Sequence, residues 1–365
     1  MNQVQERGPG DVFGMVGFER LDETLAPLAL DADGRPLNPV AFFDLTEQGV
    51  PTALESPARV REAAINSGRL LIGTVRGPVT ASAAPLMEAL DFTLLEGRPL
   101  VGVGPRTCVT VPDLELAAGE LTRAVRRAPL AALTLRGLLR LTERLPVVEG
   151  LSAESAAYSA LQSGPEFAAW RTSRPRRPVP RAAEPVLVQR DGGTLRIALN
   201  RPKRHNAFDA AIRDGLVEAL EIARLDETVT SIELTGRGRS FCSGGDLDEF
   251  GTTSDPATAH ILRLRRSAGA AVERCRERVH ARLHGACVGA GIEVPAFAAR
   301  VTARRGAFFQ LPEVSMGLIP GAGGTVSVTR RIGRWRTAWL ALTGQRVDAV
   351  TALGWGLVDE LVDDF

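Results

Sequence analysis

A run of prolines and arginines, WRTSRPRRPVPRAAEP at Trp170–Pro185, divides this chain and limits what can be built on either side of it. Each proline fixes φ and lacks an N–H, so the run belongs neither inside a helix nor inside a sheet. It reads as an exposed linker or as a strap crossing the surface. Of 365 residues, roughly half lie on each side. At about 150 residues per domain this implies two domains, or one domain with a large extension.

Charge excludes several function classes. Lys+Arg is 44 against Asp+Glu 43, a net of +1, and Lys203 is the single lysine. With no basic surplus, counterion release gives no drive toward nucleic acid or an anionic membrane. Hydrophobic residues make up 44 % and charged residues 24 %, as in a soluble globular protein with a real core. Cys108, Cys242, Cys275 and Cys287 are scattered without a C-x-x-C pair, which suggests neither a disulfide framework nor zinc and fits a reducing cytoplasm. The start, MNQVQERGPGDVFGM, has no apolar run behind a basic segment, so no signal peptide is expected. No uncharged apolar stretch reaches the length of about 18 residues that a membrane span needs. His280 and His284 stand four apart on an expected strand entering a turn, so no metal pair is expected.

After the linker, Val186–Arg190 and Thr194–Leu199 are β-rich runs joined by Asp191-Gly192-Gly193, a hairpin signal. Helical spacing follows over Phe208–Leu225, then strands at Ser231–Leu234, Val279–Leu283 and Val301–Ala303, with one long helix expected over Pro256–Arg278. Strands alternating with helices imply repeating ββα or βα units. Upstream, Val40–Leu45 and Leu70–Val75 read as strands and Pro57–Ile65 and Ala83–Leu90 as helices. Ala117–Trp170 reads as helical throughout. Placing Gly77 on Gly285 aligns a strand, a glycine turn, small residues and an apolar helix in both halves, and sets Pro85 where the second copy has Glu293.

The chemistry concentrates in three segments. In GACVGAGIEVP (Gly285–Pro295) small residues permit close approach to the backbone, and Pro295 fits a first helical turn. The free N–H groups of a helix starting near Ala290 suit a developing oxyanion, and Glu293 sits one turn on. It would face the same pocket, or else be an exposed first-turn glutamate. In GRSFCSGGDLDEF (Gly238–Phe250) a strand enters a tight loop, with Asp246 as the expected N-cap of a following helix. This is either a capped turn alone or the source of a second amide donor, Gly245, beside Ala290. Cys242 reads as a small buried residue, since no histidine is placed to activate it. In FFQLPEVSMGLIPGAGGT (Phe308–Thr325), Glu313 supplies a second carboxylate, while Gly321–Gly324 lacks both P-loop and dinucleotide spacing. Two glutamates with paired amide donors suit proton transfer at carbons next to a thioester, the acids titrating as a pair.

Together with NRPKRHNAF (Asn200–Phe208) and LTGQRVDAVTALGWGLVDEL (Leu342–Leu361), these segments resemble the crotonase superfamily of enoyl-CoA hydratases and isomerases. The resemblance spans Pro185 to about Asp364. It implies an α/β, crotonase-like spiral of ββα units over 186–365, preceded by a degenerate crotonase-like α/β region at 1–116, a helical segment at 117–172 and a linker at 173–185. It also implies a homo-oligomer (trimer or hexamer), an acyl-CoA substrate, and no cofactor beyond the coenzyme A that the substrate carries. By resemblance Gly245 and Ala290 form the oxyanion hole and Glu293 and Glu313 activate water and protonate. Lys203, Arg204, Ala207, Gly244, Asp246, Leu247 and Asp248 would bind the CoA moiety, the Gly245–Asp248 turn near the adenine and Lys203 or Arg204 near the phosphates. The family's C-terminal helical tail has its likeness upstream, at Gly119–Trp170, where it would be donated to the second copy within the chain or to a neighbour. The expected activity is hydration of a trans-2-enoyl-CoA. The alternatives are double-bond isomerisation or other CoA-enolate chemistry, and, in another class, a non-catalytic acyl-CoA-binding scaffold.

Overall fold

The computed structural model describes residues 15–16, 27–45, 57–81, 83–97, 104–175, 177–178, 182–253 and 255–365. The amino-terminal segment 1–14 and linker positions 176 and 179–181 lie outside them. The chain forms two compact units, Met1–Leu100 with Thr107–Pro129 and Val101–Arg106 with Leu130–Phe365. The division falls inside the helical run expected over 117–172.

In the first unit the described strands Met15–Val16, Val40–Asp44, Leu70–Arg76, Phe92–Glu96 and Cys108–Val111 form one parallel sheet in that order. Parallel strands are buried on both faces, which is why every residue of Leu70–Val75 is buried, the single polar side chain, Thr74, donating its hydroxyl to the Phe43 carbonyl at 3.0 Å. Phe43, Leu45, Leu71, Val75, Met87 and Leu90 pack in its core. The helix Leu114–Arg127, capped by Asp113 through the Leu116 N–H, buries Leu114, Ala118, Leu121 and Val125 in the same unit.

The second unit carries a six-stranded sheet, ordered Glu360–Val362, Arg300–Arg304, Val279–Leu283, Ser231–Gly236, Thr194–Leu199 and Val186–Asp191. Only the hairpin Val186–Asp191/Thr194–Leu199 is antiparallel. Short strands Ala286–Val288, Phe308–Gln310 and Val347–Asp348 form a separate small sheet. Two of the major strands, Val279–Leu283 and Arg300–Arg304, each turn into a minor strand and then a helical turn, Ala290–Glu293 and Glu313–Met316, the repeating ββα unit. The register that sets Gly77 on Gly285 also carries the pair Ile72/Phe92 of the first unit onto His280/Arg300 of the second. Both glycines adopt positive φ (96° and 58°), as a turn leaving a strand without Cβ strain requires.

Three local expectations change. Pro256–Arg278 is two helices, Pro256–Arg265 and Ala268–Arg274, with a 3₁₀ turn at Arg276–Arg278. Ser267 is extended and its Oγ accepts the Ala270 N–H at 3.1 Å, so a cap restarts the helix there. Asp246 caps a turn rather than a helix, and its Oδ1 accepts the Asp248 N–H at 3.2 Å. Trp170 lies inside the helix Pro165–Thr172, stacked on Phe167 at 5.7 Å, so the irregular stretch begins after Thr172.

Candidate active site

Three chain segments run side by side and leave their pairing at the same level. The backbone at Cys242 pairs with that at Cys287 in a single parallel β-bridge, both thiols remaining free, and Ala286–Val288 pairs with Phe308–Gln310. The Val288 N–H donates to the Cys242 carbonyl and the Gly289 N–H to the Gln310 carbonyl. Each segment then turns away within a few residues, presenting Gly245, Ala290 and Glu313 on one wall. Ala290 begins a single helical turn, Ala290–Glu293, so its N–H is among the amides such a start leaves open. Among the described residues neither the Gly245 nor the Ala290 N–H has an acceptor within the protein. Both line a cavity of about 220 Å³ together with Glu293, Glu313, Tyr158 and Phe250.

The two glutamates are buried and face each other. A Cβ at Gly289 would stand 2.5 Å from Glu313 Oε1 and 3.7 Å from Glu293 Oε1, so both oxygens converge on the space that this glycine (φ 49°) keeps free. Their surroundings differ. Glu293 Oε2 accepts the Ala322 N–H at 2.7 Å and the Gly324 N–H at 2.9 Å. Glu313 Oε2 is buried with no hydrogen-bond partner among the described residues. Burial raises the Glu293 carboxyl to about 7, with the two amides pulling the other way. Glu313 is held well above the ordinary carboxylate range, by burial first and by the Glu293 charge second. The arrangement holds one acid that readily ionises beside one that keeps its proton.

A third buried carboxylate stands behind the Gly321–Thr325 loop, outside the residues that line the cavity, and the sequence reading missed it. Glu154, on the helix Val147–Gln162, accepts the Gly323 N–H on Oε1 (2.8 Å) and the Thr325 N–H (3.0 Å) and hydroxyl (2.7 Å) on Oε2. Tyr158, one turn on, packs its ring against Gly321 and lines the cavity. The signal was present: Leu151, Glu154, Tyr158 and Leu161 share one buried helix face, and an acid in such a stripe needs a partner.

The remaining sequence candidates lie around the cavity rather than in its wall. The loop through Ala207 joins the Gly244–Asp246 turn, the Phe208 N–H donating to the Gly244 carbonyl and the Asp246 N–H to the Phe208 carbonyl. Buried Arg201 bridges Asp209 at 2.9 Å and Asp246 at 3.1 Å, pinning the turn that carries Gly245. Arg204 reaches Asp246 and Asp248 at 2.9 and 2.8 Å, so two carboxylates offset its charge. Lys203 is exposed and Leu247 half-buried. Burial pushes the Cys242 thiol up to about 12, which suits a packing residue. Among the described residues no cluster of His, Cys, Asp or Glu could hold a metal ion, and no helix is long and apolar enough to cross a membrane.

A family model described as enoyl-CoA hydratase/isomerase matches residues 189–364. The chain is 32% identical over 176 residues to 2,3-dehydroadipyl-CoA hydratase of Escherichia coli (strain K12), covering 48% of this chain and 68% of that protein. It is 34% identical over 183 residues to 1,2-epoxyphenylacetyl-CoA isomerase of the same strain, covering 49% and 70%. Against the crystal structure of an enoyl-CoA hydratase from Thermoplasma volcanium GSS1 the identity is 33%, with 50% of this chain and 73% of that one covered and a TM-score of 0.46. Glu154 and Tyr158 lie upstream of the residues that the family model matches.

Proposed function

The chain belongs to the enoyl-CoA hydratase/isomerase family, and from that premise we infer that it adds water across the 2,3 double bond of an enoyl-CoA thioester. The supporting observation is the convergence of Glu293 Oε1 and Glu313 Oε1 beside two amides that lack acceptors. The Gly245 and Ala290 N–H groups would grip the thioester oxygen and stabilise the enolate. Ionised Glu293 takes a proton from water as the water oxygen bonds to C3, and protonated Glu313 delivers its proton to C2. A proton passing from Glu293 to Glu313 resets the pair.

The CoA moiety would lie along Lys203, Arg204, Ala207, Gly244, Asp246, Leu247 and Asp248, with exposed Lys203 offering the phosphates a charge. We take the working form to be a cytoplasmic homo-oligomer needing no cofactor besides substrate-borne coenzyme A. Loss of the enoyl absorbance of crotonyl-CoA, with incorporation of one oxygen from labelled water, is the expected result. A migrated double bond without labelled oxygen would identify isomerisation. A wild type as inert as its Glu293→Gln and Glu313→Gln variants, all binding CoA alike, would identify a scaffold.

Two further outcomes follow from the geometry. Ala290→Pro removes one amide at the first helical position, where proline is conformationally tolerated. It is expected to lower kcat about 10²–10³-fold while the melting temperature stays close to that of the wild type. The pH profile of kcat/KM is expected to be bell-shaped. Activity should rise through about 7 as Glu293 ionises and fall at higher pH as Glu313 loses its proton, the two limbs belonging to the pair. A flat profile across that range would remove the acid/base assignment.

A further inference from the structure

The loop Gly321–Thr325 offers four successive amides, and two carboxylates share them alternately. Glu293 takes those of Ala322 and Gly324, and Glu154 takes those of Gly323 and Thr325. This loop opens the helix Gly324–Thr343, whose start could be capped by one acid. A second acid in the same dry place is repelled by the first, so it costs stability that capping alone does not recover. Further ties hold the same loop: Leu151 of the Glu154 helix packs on Gly323, and Thr142, the last residue of the preceding helix Pro129–Thr142, donates its hydroxyl to the Thr325 carbonyl at 2.7 Å.

We propose that Glu154 is a positioning residue for the reaction, holding the Gly323 and Thr325 amides so that those of Ala322 and Gly324 stay aimed at Glu293. Its part in turnover rests on the hydratase reading, whereas its grip on Glu293 does not. The charged and titratable groups around it are Glu293, Glu313, Tyr158, Arg263 and, across the neighbouring helix, His260. Burial raises Glu154 itself to about 8, with the Glu293 charge as the second cause. The two carboxyls titrate as a coupled pair, and loss of the Glu154 charge by itself acts to lower the Glu293 pKa. Glutamine in its place would turn an NH₂ toward one of the two amides, disturb the alternation and withdraw a donor from Glu293. The second effect wins, and the Glu293 carboxyl moves up.

The test is Glu154→Gln with Glu154→Asp as the conservative variant. The Glu293 carboxyl is followed by ¹³C NMR of glutamate-labelled full-length protein without substrate, its signal assigned from the Glu293→Gln difference spectrum. The expected result for Glu154→Gln is an upward shift of about one pH unit in the Glu293 titration. With crotonyl-CoA, kcat should fall about 30-fold and KM change less than about threefold, with partial recovery in Glu154→Asp. Should Glu154→Gln fail to fold, Thr325→Val, which deletes only the hydroxyl contact, is expected to shift the titration in the same direction by less. A Glu293 titration that is unmoved or lowered overturns the proposal. A wild type that does not hydrate crotonyl-CoA sinks the hydratase reading, and the carboxyl titration still decides the coupling.

Discussion

Replacing Glu293 with glutamine is expected to lower kcat about 10³-fold, with KM changed by less than about threefold. The substitution keeps the shape of a buried side chain and leaves the Gly245 and Ala290 amides in place, so thioester binding survives. What disappears is the cavity-lining carboxylate whose ionised form is favoured by the Ala322 and Gly324 amides, and whose other oxygen converges with Glu313 Oε1. Glu313→Gln should show a loss of similar size. The double variant should be little worse than either single one, because acid and base act on one substrate as a unit. Steady-state rates with crotonyl-CoA read this directly. A Glu293→Gln enzyme retaining more than about a tenth of wild-type kcat would mean that another group moves the proton.

A chain shortened to begin at residue 182 is expected to be insoluble or inactive, although it keeps every residue that the family model matches. The second unit would lose the helices Pro129–Thr142, Val147–Gln162 and Pro165–Thr172. These bury Leu135, Leu138, Leu151, Leu161 and Phe167 within it. At about 1.5–3 kcal/mol per buried large side chain, their loss is comparable with the entire stability of a domain, about 5–15 kcal/mol. The cavity would also lose Tyr158 and Gln162 from its wall. Recovery in the soluble fraction, a cooperative melt and crotonyl-CoA turnover are the readouts. A fragment that passes all three would show the upstream helices to be dispensable.

The site was legible where backbone geometry restricts residue type. Small residues around Gly289 and a glutamate between apolar neighbours left few ways to fold Gly285–Glu293, and Glu293 lines the cavity, but Pro295 opens a separate 3₁₀ turn, Pro295–Phe297, instead of lying in the first turn of a helix from Ala290. Legibility failed where several backbone forms accept the same residues. Ser267 can sit within a helix or restart one, so the break in Pro256–Arg278 was invisible to apolar spacing alone. Asp246 stabilises a turn as readily as a helix start, and tertiary contacts with Arg201 and Arg204 decided between them. Glu154 escaped because apolar periodicity averages over a face. Its partners lie far along the chain, at Gly323 and Thr325, and no local pattern announces them.

The division of the Gly321–Thr325 amides between two acids depends on odd and even positions. Inserting or deleting one residue ahead of Ala322 would exchange the partners, handing Glu154 the donors that belong to Glu293. Two such changes together would restore the original assignment. The length of this loop is thus constrained by parity, as the register of a strand is, even though the segment is neither a strand nor part of a sheet.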